Sequence, residues 1–448
     1  RDRLRSRGLG DVYKRQPYSK VNHLKVTTHQ QYAWEKFILS GDIGYQNNHR
    51  EEWSAFHTHY GTQPLPETDP DKELAFNLNT FSFSAKGRWV GSSSWEHRMG
   101  WDSQFQRNTI SGYSFLLPEY DRFTTGISWL TTYRPDNTLS VSGGVRYDYG
   151  RMRVFAHDDP YLATYLQEQG YDEEQVEFYR WNSCRVNRSF GDYSLSLGVV
   201  WTPSMRHQLK VNVGRSFRLP GANELASNGV HHGTFRHEQG DATLSSEQGW
   251  QMDASYQLKY GRWSVYVSPF VNWFSNYIFL RPTGEWSVLP HTGQIYRYTQ
   301  TETLFAGAEA SVELTVLPTL NYRISGEYVY TYNCDERIPL SFSPPATLRN
   351  TLTWQRKRYM LYAEWQSITK QNRVDRNEDR TPGANLFHIA GSLDLPVAGT
   401  EVEITLTVRN LFNTRYYNHL SFYRKVEIPE PGRNFQLLIK VPFKKLFK

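Results

Sequence analysis

Along most of the chain, apolar and polar side chains alternate with a period of two. Trp250, Met252, Ala254, Tyr256, Leu258 and Tyr260 share one face, while Gln251, Asp253, Ser255, Gln257 and Lys259 share the other. The same alternation sets Leu139, Val141, Gly143, Val145, Tyr147 and Tyr149 against Ser140, Ser142, Arg146 and Asp148, and Val402, Ile404, Leu406 and Val408 against Glu403, Thr405, Thr407 and Arg409. Successive side chains of a strand point to opposite sides, so each stretch predicts a strand with one face suited to lipid and one to water. These strands run to about 10 to 18 residues, and about 9 to 11 are enough to cross a bilayer. About seventeen can be counted, an odd number unlike that of a complete single-chain bacterial barrel.

The connections alternate in length. Tight turns fall at Pro135 to Asn137, Pro203 to Arg206, Gly261, Pro318 to Thr319, Arg356 to Arg358 and Ala398 to Thr400. Longer polar loops run near Glu51 to Glu73, His157 to Asn187, Leu219 to Ser245, Pro282 to Thr292, Asn333 to Pro345, Arg373 to Pro382 and Tyr416 to Gly432. Short turns at one end and long loops at the other are the pattern of an outer-membrane barrel. No helix is expected to interrupt the strands. Tyr161 to Tyr179 spaces Leu162, Tyr165 and Leu166 for one helical face but lies inside a loop, and its acidic run Asp172 to Glu174 reads as solvated surface. The most unusual stretch is Val213 to Glu247, which breaks at Leu219-Pro220-Gly221 and carries three histidines before a strand resumes.

Composition sharpens this picture. Aromatics make up 15% of the 448 residues, with 30 Tyr and 14 Trp, yet mean hydropathy is −0.66. A barrel reconciles the two, because only its outer face must be apolar. No apolar run is long enough for a membrane helix, a test that leaves strands untouched. The first sixteen residues lack hydrophobic periodicity, and Ser6 to Gln16 resemble the translation of a transposase-type sequencing adapter. Residues 1–16 are therefore expected to be non-native and 17–448 to be part of a barrel. Six basic side chains against two acidic ones in that stretch supply four of the six net positive charges. The basic balance therefore gives no reason to expect nucleic acid as a partner. The two cysteines, Cys184 and Cys334, sit in different loops; a bridge between them is conceivable, and unpaired thiols are the favoured reading.

Three stretches, in order, resemble the TonB-dependent outer-membrane receptors. GRSFRLPGANELASNGVHHGTFRHEQGDATLSSEQGWQ, Gly214 to Gln251, is similar to the family's mid-barrel loop with its Arg-x-Pro, Glu-Leu and Gly-Asp elements. VRNLFNTRYYNH, Val408 to His419, resembles the Asn-Leu-Phe-Asn-x-x-Tyr signature of the penultimate strand, and PGRNFQLLIKVPF, Pro431 to Phe443, the Gly-Arg-x-Phe final strand. The resemblance implies an all-β fold, a transmembrane antiparallel barrel of 22 strands in a complete member, of which about 17 are represented here. It also implies a plug and a TonB-contacting segment upstream, and through these the TonB-ExbB-ExbD complex as partner. The expected location is the outer membrane of a Gram-negative bacterium, with the barrel facing outer-membrane lipid.

The candidate ligand contacts are Arg218, His231, His232, His237, Glu238 and Asp241 in the long loop, and His57 and His59 in an earlier one. Imidazole with carboxylate can hold zinc, and imidazole alone can ligate haem iron, which makes His231, His232 and His237 the candidate metal set. The bland reading, which is favoured, takes the same histidines as polar loop residues, and Arg218, like Arg215, as an anchor of the strand end or a lumen-facing side chain. Trp53, Tyr60, Tyr113, Tyr120, Trp286, Tyr416 and Tyr417 offer flat surfaces to a planar ligand or to one another. No Gly-x-Ser-x-Gly, His-Glu-x-x-His or phosphate-loop motif occurs, so catalysis is not expected. No resident cofactor is expected. The cargo of such a receptor is an iron chelate, siderophore or haem, ahead of zinc, and the alternative is a passive porin or structural barrel.

Overall fold

In the computed structural model, residues 16–58, 60, 63–231, 234–290, 292–397 and 400–442 are described. His59, His232, the turn at 398–399 and the chain from Phe443 onward lie outside them. Seventeen strands build the wall, matching the number read from the alternation. They are β1 (Tyr18–Ala33), β2 (Phe37–Trp53), β3 (Lys72–Val90), β4 (Trp95–Ser111), β5 (Tyr120–Tyr133) and β6 (Leu139–Val154). Next come β7 (Val186–Ser204), β8 (His207–Arg218), β9 (Glu247–Tyr260), β10 (Trp263–Trp286), β11 (Gln294–Leu317) and β12 (Leu320–Asn333). The last five are β13 (Thr347–Arg356), β14 (Tyr359–Ile368), β15 (Ala384–Val397), β16 (Thr400–Arg409) and β17 (Asn434–Lys440). Each pairs antiparallel with its sequence neighbour. Among the described residues β1 pairs only with β2 and β17 only with β16, so the sheet is open at these two edges.

The alternation maps onto the two faces of this sheet. Phe37, Trp89, Tyr133, Trp201, Tyr260 and Trp263 form an exposed aromatic row near the short turns, and Phe81, Phe105, Phe123, Trp250, Trp273 and Trp365 form a second toward the long loops. Such paired girdles mark the two interfaces of a bilayer. On β10 the rows are ten residues apart, Trp263 to Trp273. At 3.4 Å per residue and a tilt of 40–45° they are separated by about 25 Å, the height of a barrel's apolar band.

Two short helices correct the expectation of a loop without helix between β6 and β7. They are α1 (Pro160–Glu168) and α2 (Glu173–Arg180). Asp159 caps α1 by accepting from the N–H groups of Tyr161 (3.1 Å) and Leu162 (3.0 Å), with Pro160 in the first turn. Gly170, at φ +83°, permits the reversal. The acidic run read as solvated surface starts the second helix. Asp172 accepts from the Gln175 N–H at 2.8 Å, and Glu173 and Glu174 occupy the first turn, where negative charge meets the helix dipole favourably. The expected helical face is real, with Leu162 and Leu166 buried and joined by Ala163, Val176 and Leu289. Tyr60, Val230 and Val288 pack against that cluster, so the helical hairpin ties together loops from four parts of the chain.

Candidate functional site

The long loop between β8 and β9 is a folded unit, not an extended tether. After Pro220 the chain forms α3 (Ala222–Ala226), whose Ala222, Leu225 and Ala226 pack on Met152, Val154, Val186 and Phe190 of the wall. A hairpin follows, Asn228–His231 against Arg236–Gln239, and its second strand runs parallel to β11 at Ile295 to Arg297. The Gly-Asp element fastens this hairpin to α3. Gly240 donates to Ser227 O at 2.6 Å and Asp241 N–H to Glu224 O at 2.8 Å. A Cβ at Gly240 would lie 2.6 Å from the Ala226 nitrogen, so only glycine fits there.

The expected ligand contacts take separate roles in this unit. Arg218 closes the loop at its base, pairing with Glu224 at 2.8 Å and with Glu247 at 3.2 Å. Asp241 shapes a turn, accepting from the N–H (2.7 Å) and hydroxyl (2.6 Å) of Thr243. Glu238 pairs with Arg236 and accepts from the Tyr298 hydroxyl at 3.1 Å. His237 is fully enclosed, its Nδ1 2.9 Å from Ser287 Oγ and its Nε2 2.8 Å from Asn228 Oδ1. Burial pushes its pKa down to about 4. Both ring nitrogens of His237 are engaged inside the protein. His231 is half-buried with an Nδ1 that has no hydrogen-bond partner in the described structure, and its pKa is lowered by burial first and by Arg236 second. His57 is exposed, with Nδ1 3.1 Å from Ala55 O and 3.4 Å from the Tyr113 hydroxyl. Among the described residues no three of His, Cys, Asp and Glu come together to hold a metal. Cys184 and Cys334 are free thiols, as read.

The other polar centre was not found by sequence reasoning. Arg281 on β10 reaches Glu336 and, at 3.1 Å, Asp375, joining three loop regions. Arg424 pairs with Glu378 at 2.9 Å, and His419, fully buried, has Nε2 3.3 Å from the same carboxylate. Arg424 also approaches His419 Nδ1 at 3.1 Å. A guanidinium only donates, so Nδ1 accepts from Arg424. Burial works to raise the Glu378 pKa, yet the adjacent His419 and the N–H groups of Phe342 and Asp375 hold it below its usual value. These residues lie tens of positions apart, so no local spacing signals them. Beside this centre opens a cleft of about 460 Å³, lined by Glu309, Glu327, Arg349, Gln366, Tyr416 and His419 among others. A second cleft of about 600 Å³ shares Gln366, Tyr416 and Glu430 with it. The long-loop end therefore presents a prefolded, polar and aromatic mouth.

A wall of antiparallel strands with paired aromatic girdles, short turns below and interlocked loops above has the make-up of a membrane β-barrel. The chain belongs to the TonB-dependent receptor-like β-barrel family, whose model matches residues 2–411. Its fold is similar to that of the copper transporter OprC, with a TM-score of 0.70 and 16% identity over 93% of this chain and 65% of that one. It is also similar to the FrpB iron transporter of Neisseria meningitidis, with a TM-score of 0.64 and 14% identity over 94% of this chain and 62% of that one. The Serratia marcescens receptor HasR, solved with its hemophore HasA and haem, gives a TM-score of 0.64 and 16% identity over 94% and 66%. The chain thus spans about two thirds of the length of these neighbours.

Proposed function

We propose that this protein is part of an outer-membrane receptor for energy-coupled uptake of a scarce nutrient, an iron chelate such as a siderophore or haem ahead of zinc. Membership of the TonB-dependent receptor family is the observation that carries the reading. The copper, iron and haem cargoes named for its structural neighbours agree with a metal-bearing ligand. The ligand would be captured at the mouth formed by the long loops, and energy would come through TonB, ExbB and ExbD. No covalent chemistry is required of the chain. Of the residues first considered for ligand contact, His57, His59, His231 and His232 remain candidates, whereas Arg218, His237, Glu238 and Asp241 support the loop that would present them. Uptake and surface binding of labelled haem and of a labelled ferric siderophore, measured in cells carrying the complete receptor gene with and without TonB, test this. Binding should survive loss of TonB while uptake stops; uptake that continues would point to a passive pore.

A further inference from the structure

We infer that Thr301, Asn333 and Asp335, at the loop end of β11 and β12, form a calcium site that fastens the turn after β12 to the wall. This goes beyond the cargo reading and does not depend on it.

The register brings the oxygens together. Thr303 on β11 faces Asn333 at the end of β12, and Thr301 lies two residues further along the same face of β11. Leu304 pairs with Trp273 of the upper girdle on the outer face, so these side chains stand on the inner face, just loopward of that girdle. Thr301 Oγ1 is 2.7 Å from Asn333 Oδ1 and 2.7 Å from Asp335 Oδ2. A hydroxyl has one proton and can donate it to only one of the two. Neither acceptor has a proton to give in return. The Glu336 N–H donates to Asn333 Oδ1 at 3.1 Å, which sets the amide oxygen and not the nitrogen on this side. Asp335 is exposed and accepts from the Glu302 N–H at 2.9 Å. The Thr301 hydroxyl first, and then that N–H, hold its carboxyl below the usual range. One of the two close oxygen–oxygen contacts therefore lacks a proton, and a cation shared by all three oxygens removes the repulsion.

The second observation is Thr303. Its side chain is fully buried across the ladder from Asn333, and its Oγ1 has no hydrogen-bond partner among the described residues. A buried hydroxyl ordinarily finds one, and here the cation or a water bound to it supplies it. The donors are hydroxyl, amide and carboxylate oxygens, a hard set that suits Ca²⁺, which takes about six to eight oxygens in flexible geometry. Water can complete the shell from the exposed side of Asp335, whereas Mg²⁺ demands a near-ideal octahedron that side chains fixed by a ladder do not offer. The Asp335 carboxylate has no ion-pair partner among the described residues, while Glu336 of the same turn takes up Arg281 and Arg376. One carboxylate gives the affinity of an extracellular module, on the order of 0.1–1 mM. Bound Ca²⁺ ties β11 to the turn that carries the Arg281 clamp.

The test uses the detergent-solubilised full chain, stripped of divalent ions and loaded with Tb³⁺. Luminescence is excited through Trp273, whose Nε1 donates to Glu302 at 2.9 Å beside the site. Ca²⁺ should displace Tb³⁺ with a dissociation constant on the order of 0.1–1 mM, and Mg²⁺ at the same concentrations should not. Asp335→Asn keeps the acceptor without the charge, and Thr301→Val keeps the shape without the hydroxyl. Each should weaken Ca²⁺ binding by about tenfold or more, whereas Thr301→Ser should bind as the unaltered chain does. At Ca²⁺ ten times the dissociation constant, protease cleavage between Asn333 and Pro345 should slow by about tenfold in the unaltered chain and not in Asp335→Asn. No saturable displacement by Ca²⁺ overturns the proposal. So does equal displacement in Asp335→Asn and the unaltered chain, which would put the ion elsewhere, and so does competition by Mg²⁺ as strong as that by Ca²⁺.

Discussion

His237 holds two loops together by remaining neutral. An unfolded histidine titrates near 6.5 and this one near 4. Between those values the unfolded loop binds more protons than the folded one, so stability falls as pH drops from about 6.5 toward 4 and is constant above that window. The full loss is on the order of 3 kcal/mol. Protection factors across Asn228 to Gln239, with the intrinsic exchange rates divided out, should therefore fall by up to about two orders of magnitude between pH 7 and pH 4.5, and His237→Phe should remove that dependence. Equal protection at both pH values would count against the assignment. Gly240 gives a second residue-level expectation. Gly240→Ala forces a Cβ against the α3 backbone and should destabilise the loop by about 1–3 kcal/mol, read as faster protease cleavage between α3 and β9. His57→Ala touches an exposed ring and should leave that cleavage rate unchanged while weakening ligand capture.

At the scale of elements, the wall strands between the two exposed edge strands were legible because each sets one face to lipid and the period-two pattern repeats the reason for its direction. Trp250, Met252 and Tyr256 are exposed on the lipid side as their alternation requires. The helical hairpin was not legible as structure, although its inward positions were. The eight or nine residues of each helix are too few to be stable alone, and their partners, Tyr60, Val230 and Leu289, come from distant loops. The candidate site divided in the same way. Histidines and carboxylates were visible as types, but their hydrogen-bond partners, such as Ser287 for His237 and Thr381 for His419, are set by tertiary contact. Leu166, fully buried, is the test of the hairpin: Leu166→Ala should cost about 2–5 kcal/mol and expose the Gly170 turn to protease, with the wall strands still protected. Unaltered cleavage at that turn would mean that the cluster does not hold the hairpin.

Across the whole molecule, the two faces of the sheet predict opposite tolerances. Ile127→Arg places a charge in the lipid band and should cost about 2–4 kcal/mol, whereas Thr405→Arg on the opposite face should change stability by no more than about 0.5 kcal/mol. Urea titration of vesicle-inserted protein checks both, and similar costs at the two positions would reverse the inside-outside assignment. The wall is also far from level. β10 and β11 are each 24 residues long, and β10 continues thirteen residues past Trp273 to Trp286, which is 75% exposed. With the same rise and tilt, its tip stands about 30 Å above the upper girdle. Paired along most of its length, with breaks in register between Phe274 and Tyr277 and between Pro282 and Trp286, and clamped at Arg281, this hairpin stands as a mast. In the receptor proposed above, anything arriving at the long-loop end, large particle as readily as nutrient, would meet that tip before it met the mouth.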